Sequence, residues 1–144
     1  MKNILFVCRH NIFRSKVAEK FFNKFNENKK YRAKSAGLFK WSKSALRGDV
    51  GYKAEKKIAR EFGINLDGAS KGIDHDLLKE SDIIVLVADD VDPSVFTHEE
   101  HFYGKLIVWK ITDVKSKHKN KYDVALSSVK KIEKKVKDFI RRLR

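Results

Sequence analysis

Along the chain, short compact apolar runs alternate with longer stretches in which apolar residues recur every three or four positions. Asn3 to Val7 is the first compact run and suits a buried strand. A polar hexapeptide follows, then a segment that places Ala18, Phe21, Phe22 and Phe25 on one helical face with charged residues between them. Tyr31 to Ala36 alternates weakly and predicts a second strand, ended at Gly37, where a sharp turn is permitted. Residues 38 to 51 read as a long loop holding Phe39, Trp41 and Gly48. Ala54 to Phe62 predicts a second helix, stopped by Gly63.

Asp74 to Lys79 predicts a short helix, and Asp82 to Val87, with five consecutive aliphatic residues, is the clearest buried strand. Asp92 and Pro93 open another short helix, with the proline near its first turn. Leu106 to Trp109 is a further strand. The last helix starts near Asp123 and carries a stripe of Val129, Ile132, Val136, Phe139 or Ile140, and Leu143, with lysines on the opposite face. Strand and helix thus alternate four times. That order implies an α/β fold in one domain over residues 1–144, with a four-stranded, mainly parallel, Rossmann-like sheet and helices on both faces. In such folds ligands sit at the carboxyl ends of strands near a switch in strand order, which directs attention to the hexapeptide after the first strand.

Composition narrows the classes. The 144 residues suffice for one domain with a real core, and no apolar run approaches a membrane span. The N-terminal apolar stretch is too short for a signal peptide and lacks a small-residue cleavage site, so a cytoplasmic protein without a membrane partner is expected. The single cysteine leaves no internal disulfide and no metal site built on paired thiolates. It is therefore either an inert core residue or a reactive thiol. A net charge of +14, spread along the chain, favours anionic partners such as phosphoesters, with nucleic acid a lesser alternative.

The segment Cys8-Arg9-His10-Asn11-Ile12-Phe13-Arg14-Ser15 joins the first strand to the first helix. Backbone N–H groups of a loop wrapping into a helix N-terminus converge on a phosphate-sized dianion. An arginine at the end of that loop adds a planar fork for two phosphate oxygens. The same positive field favours Cys8 as a nucleophilic thiolate. Ser15 is placed both to cap the helix and to donate to that thiolate.

Cys8, Asn11, Arg14 and Ser15, followed by Ala18-Glu19, resemble the Cys-x-x-Asn-x-x-Arg-Ser signature of the low-molecular-weight protein-tyrosine phosphatases. The resemblance extends through Ser35-Ala36-Gly37, Ser70-Lys71-Gly72-Ile73, the strand to Val87 and Ile111-Thr112-Asp113, nearly the whole chain in order. It implies the phosphotyrosine phosphatase I type of fold and a cysteine-dependent phosphomonoester hydrolase. Cys8 would form a phosphocysteine, Arg14 would bind the phosphoryl oxygens, and Asp113 would be the general acid and base. Arg9, His10, Asn11, Ile12, Phe13 and Ser15 would hold the substrate phosphate, with Ser35 supporting Asn11. Phosphate or sulfate is expected in the loop, and no metal or cofactor is required.

Phe39 and Trp41 lie where that family keeps aromatic walls around a phenyl ring, a position that equally suits a patch pinning the loop. Tyr122 is a further aromatic candidate, and Asp123 a rival to Asp113.

The chain departs from the signature in four places. His10 replaces a usual glycine and is expected to turn away from the anion. Phe13 replaces a frequent second cysteine, which removes a disulfide partner that could shield Cys8. Val114 replaces the proline of an Asp-Pro pair, and Lys115, Ser116 and Lys117 stand where aromatics often follow it. Two alternatives remain open: arsenate reduction with an external thiol, on the same fold and loop, and a weakly catalytic module that binds phosphopeptide or RNA.

Overall fold

The structure is a computed structural model that describes residues 1–39, 49–97, 102 and 104–143. Among the described residues nine elements follow one another: β1 (Lys2–Cys8), α1 (Arg14–Phe25), β2 (Tyr31–Gly37), α2 (Val50–Glu61), α3 (His75–Glu80), β3 (Ile83–Val87), α4 (Ser94–Thr97), β4 (Lys105–Trp109) and α5 (Lys121–Arg142). The strands form one sheet in the order β2-β1-β3-β4, and each pairing is parallel. The alternation of strands and helices therefore gives the predicted α/β architecture.

Strand period explains how the sheet is sandwiched. Ile4 and Phe6 of β1 join Val85 and Val87 of β3 on one face, where they meet the apolar sides of α1, α2 and α5. Leu5 and Val7 point the other way with Ile84 and Leu86, toward Leu78 of α3 and Phe96 of α4. The first face is aromatic-rich. Phe6 is fully buried, and its ring centroid lies 5.7 Å from Trp109, 6.0 Å from Phe22 and 6.4 Å from Phe139.

Several boundaries move relative to the sequence reading for local reasons. Helix α2 begins at Val50, earlier than Ala54, because the Asp49 side chain accepts from the Tyr52 N–H at 2.8 Å and caps it. Helix α5 begins at Lys121, where Asn120 is the cap and Asp123 lies in the first turn. Gly63, at φ 76°, ends α2 as expected. Ser15 is not a cap: the cap position is Phe13, which makes no capping side-chain bond, and Ser15 turns inward. Of the predicted loop, Trp41 and Gly48 lie outside the described residues.

The chain leaves β1 for β2 on one side, and after β2 it crosses to β3 on the other. The carboxyl end of β1, at Cys8, is thus the point where connections diverge, which opens a crevice there. Among the described residues no helix is long and apolar enough to cross a membrane.

Phe6 joins both halves of the larger core, so Phe6→Ala should destabilise the fold by about 3–5 kcal/mol. Urea unfolding checks this, and a cost under about 1 kcal/mol would show that the aromatic cluster does not hold the sheet to α1 and α5.

Candidate active site

The loop between β1 and α1 closes around the sulfur of Cys8. The Ser15 hydroxyl lies 3.0 Å from Sγ, and the Asn11 N–H points to Sγ at 3.3 Å. Both are suitable donors to a thiolate. Cys8 is buried, 3% exposed, at the inner end of a cavity of about 120 Å3 that Arg14 and Asp113 also line.

Asn11 sets the shape of the loop. Its φ is 54°, in the left-handed region that asparagine tolerates better than most residues. Its side-chain amide donates to Ser15 Oγ at 2.8 Å and to Ser35 Oγ at 3.0 Å, while its Oδ1 accepts from the Lys71 N–H at 3.0 Å. The Ser35 hydroxyl in turn donates to Glu19 Oε1 at 2.5 Å. Ser70 donates to the His10 carbonyl at 2.5 Å. Gly37 has to be glycine: a Cβ there would come within 2.6 Å of the His10 carbonyl carbon and 2.7 Å of the Asn11 nitrogen. The predicted Asn11–Ser35 contact is therefore present, within a network that also recruits Ser70 and Lys71.

Arg14 is 2% exposed, with its guanidinium held from the far side. One nitrogen donates to Asp90 Oδ1 at 2.9 Å and to the Ile111 carbonyl at 3.0 Å, and it stands 3.7 Å from Asp89. The other faces Asp113 Oδ2 at 3.6 Å. Burial acts against the charge on Arg14, but Asp113, Cys8 and Asp90 outweigh it and raise its pKa. Asp90 is also desolvated, yet its hydrogen bond and ion pair with Arg14 hold its carboxyl below the usual range.

The other expected residues divide. Ile12 and Phe13 line the cavity, although Phe13 is only 2% exposed and packs mainly in the core. His10 is also among the lining residues. Burial first and then the charge of Arg9 lower its pKa. Phe39 lies beside His10, ring centroids 6.1 Å apart, and is 55% exposed; it is not a lining residue. Tyr122 is carried away on α5, where Lys57 lies over its ring at 4.9 Å, and Asp123 sits in the helix's first turn. Of Asp113 and its rival Asp123, it is Asp113 that lines the cavity. Val114, in place of the proline, is buried at 8% exposure, and its N–H donates to Asp113 Oδ1 at 3.0 Å.

Sequence reasoning missed four lining or supporting groups: Tyr52, Asp49 and Glu55 around the start of α2, and Asp90 after β3. Asp89-Asp90 stands at the carboxyl end of the central β3, and Glu55 interrupts an apolar face made with Ala54, Ile58 and Ala59, so both left readable signals. Among the described residues no group of three or more His, Cys, Asp or Glu could hold a metal ion.

A family model for low molecular weight phosphotyrosine protein phosphatase matches residues 3–144. The chain belongs to that family. Solved structures agree on the fold. A low molecular weight protein tyrosine phosphatase from Streptococcus pyogenes is 22% identical with a TM-score of 0.71, covering 100% of this chain and 94% of that one. Another from T. tengcongensis is 22% identical with a TM-score of 0.69, covering 99% of both. An arsenate reductase from Archaeoglobus fulgidus is 28% identical with a TM-score of 0.66, covering 95% of this chain and 98% of that one. Comparison with curated protein sequences gives no match.

Glu55 supplies a pH prediction for this phosphatase-family chain. Burial, then the negative charge of Asp113, push its carboxyl well above the ordinary value, so the folded state keeps a proton that the unfolded chain releases. The stability this contributes is complete below the unfolded pKa and falls as pH rises toward the folded one, by about 1.4 kcal/mol per pH unit. Glu55→Gln mimics the protonated acid and cannot ionise. Its melting temperature should gain on wild type steadily as pH rises above the ordinary carboxylate range. Parallel melting curves for the two proteins over that rise in pH would show that Glu55 is not held protonated.

Proposed function

We propose that this chain is a cysteine-dependent phosphomonoester hydrolase with phosphotyrosine protein as its preferred substrate class. The observation that carries the reading is the sulfur of Cys8, within reach of two donors, in one cavity with a buried arginine and a carboxyl group. Family membership supports phosphoester chemistry. Ile12, Phe13, Tyr52 and Val114 give the cavity apolar walls that suit an aryl ester.

The reaction has two steps. The Cys8 thiolate attacks phosphorus, the S–P bond forms and the ester P–O bond breaks. Asp113 protonates the departing oxygen, which avoids expulsion of a bare alkoxide or phenolate. The loop amides and Arg14 bind the equatorial oxygens as charge moves onto them, a role suited to a planar donor fork already fixed by Asp90 and Ile111. A water molecule then gives a proton to the Asp113 carboxylate and attacks phosphorus, which releases phosphate and restores the thiolate. Ser15 Oγ, donating to Sγ, stabilises the thiolate both as nucleophile and as leaving group.

Arg9, His10, Asn11, Ile12, Phe13 and Ser15 form the phosphate cradle in this reading, with Phe39 beside His10. The net charge of +14 draws anionic substrates to the surface and leaves nucleic acid as a weaker partner class. The similarity to an arsenate reductase favours a second reading, in which an external thiol reduces arsenate bound at Cys8. Thiol-dependent arsenate turnover without hydrolysis of p-nitrophenyl phosphate would establish that reading instead.

Cys8→Ser should abolish steady-state hydrolysis of p-nitrophenyl phosphate and retain phosphate binding; turnover near the wild-type rate would remove Cys8 as nucleophile. Asp113→Ala should lower kcat on phenyl phosphate by about 10²–10⁴-fold, with a much smaller loss on p-nitrophenyl phosphate, whose leaving group needs less help. Equal losses on both esters would remove Asp113 as the acid.

A further inference from the structure

One wall of the phosphate cavity carries a carboxyl group that the two-step reaction leaves without a role. Glu55 belongs to the buried face of α2, with Ala54, Ile58 and Ala59, and is 6% exposed. It lines the same cavity as Cys8, Arg14 and Asp113. Its Oε2 is buried and has no hydrogen-bond donor among the described residues. A carboxylate left so would cost several kcal/mol.

Protonation removes that cost and turns the oxygen into a donor. Asp113 shares the wall of this small cavity, and after burial its negative charge is the main influence that favours the proton on Glu55. The groups facing Glu55 come from every element around it. Asp113 follows β4, Arg14 opens α1 and Cys8 ends β1, while His10 lies on the loop and Asp49 and Tyr52 precede Glu55 in its own segment. Arg14 alone among the three groups that act on it directly opposes protonation, and its guanidinium is already engaged by Asp90 and the Ile111 carbonyl.

The geometry points to a carboxyl pair, Glu55 with Asp113, that shares one proton inside the cavity and stores it for the leaving group. The inference rests on the phosphatase reading for its use, though not for its existence. Glu55 is a positioning residue that acts through Asp113. Two carboxyl groups on the wall of one small cavity do not both ionise readily, which favours a proton held on Glu55 beside Asp113. In the first step the ester P–O bond breaks and the pair's proton passes from Asp113 to the leaving oxygen, leaving both carboxyls ionised beside Arg14. In the second step the attacking water returns one proton to Asp113, and the pair closes the cycle with the proton it began with. No oxidant, reductant or co-reactant is needed.

The test is the pH profile of kcat/KM on phenyl phosphate for wild type, Glu55→Gln and Glu55→Asp. Glu55→Gln should move the alkaline limb to lower pH and cost about tenfold or more at neutral pH, with a smaller loss on p-nitrophenyl phosphate and unchanged inhibition by inorganic phosphate. Glu55→Asp should restore part of the limb. A loss equal at every pH and on both esters overturns the pair. Isotope-edited infrared spectra of the substrate-free proteins, with labelled glutamate, give an answer independent of turnover. Wild type at neutral pH should show a protonated-carboxyl band that Glu55→Gln lacks, and identical spectra overturn the inference. If wild type hydrolyses neither ester, the phosphatase reading falls, and the band alone decides whether the pair exists.

Discussion

A guanidinium that is 2% exposed dictates the arrangement of everything around it. Taking a charge out of water costs several kcal/mol unless it is paired and hydrogen-bonded. For Arg14 the compensation comes from the carboxyl ends of two neighbouring strands: Asp89 and Asp90 after β3, Ile111 and Asp113 after β4. The parallel sheet puts those ends side by side with the end of β1, where Cys8 stands. Sheet topology, ion pairing and the location of the sulfur are thus one constraint.

That constraint also gives the cavity its character. The chain carries +14 overall, with Lys131, Lys134, Lys135 and Arg142 along α5, yet the cavity itself is walled by Asp49, Glu55 and Asp113. Asp89, Asp90 and Asp113 are the carboxylates that balance the charge of Arg14. The surface charge works at longer range, where it raises the encounter rate with anions and is screened by salt.

Much of this was legible in the sequence, because the signals were local. The compact apolar runs gave four strands, the three-to-four spacing gave the packed faces of α1 and α5, and the residue types from Cys8 to Ser15 marked that loop as the candidate site. What was not legible depended on distance in the chain. That Ser15 would serve the sulfur instead of capping α1 follows from how Asn11 folds the loop back on itself. The backbone at His10 is set by the close approach of Gly37 and the hydrogen bond from Ser70, 27 and 60 residues away. Glu55 interrupts the apolar face of Ala54, Ile58 and Ala59, but a glutamate in a lysine-rich helix reads as surface charge until the partner of that face is known. The start of α2 was misplaced because the Asp49 cap outweighs the weak helix preference of Val50 and Gly51.

The account rests on covalent transfer of a phosphoryl group to the sulfur at the end of β1. Rapid acid quench during turnover of an aryl phosphate, followed by mass spectrometry of the peptide that contains Cys8, reads that event directly. One phosphoryl group on Cys8, formed and lost at rates that match turnover, is the expected result. Steady hydrolysis with Cys8 unmodified, or with the phosphoryl group on His10, would contradict it.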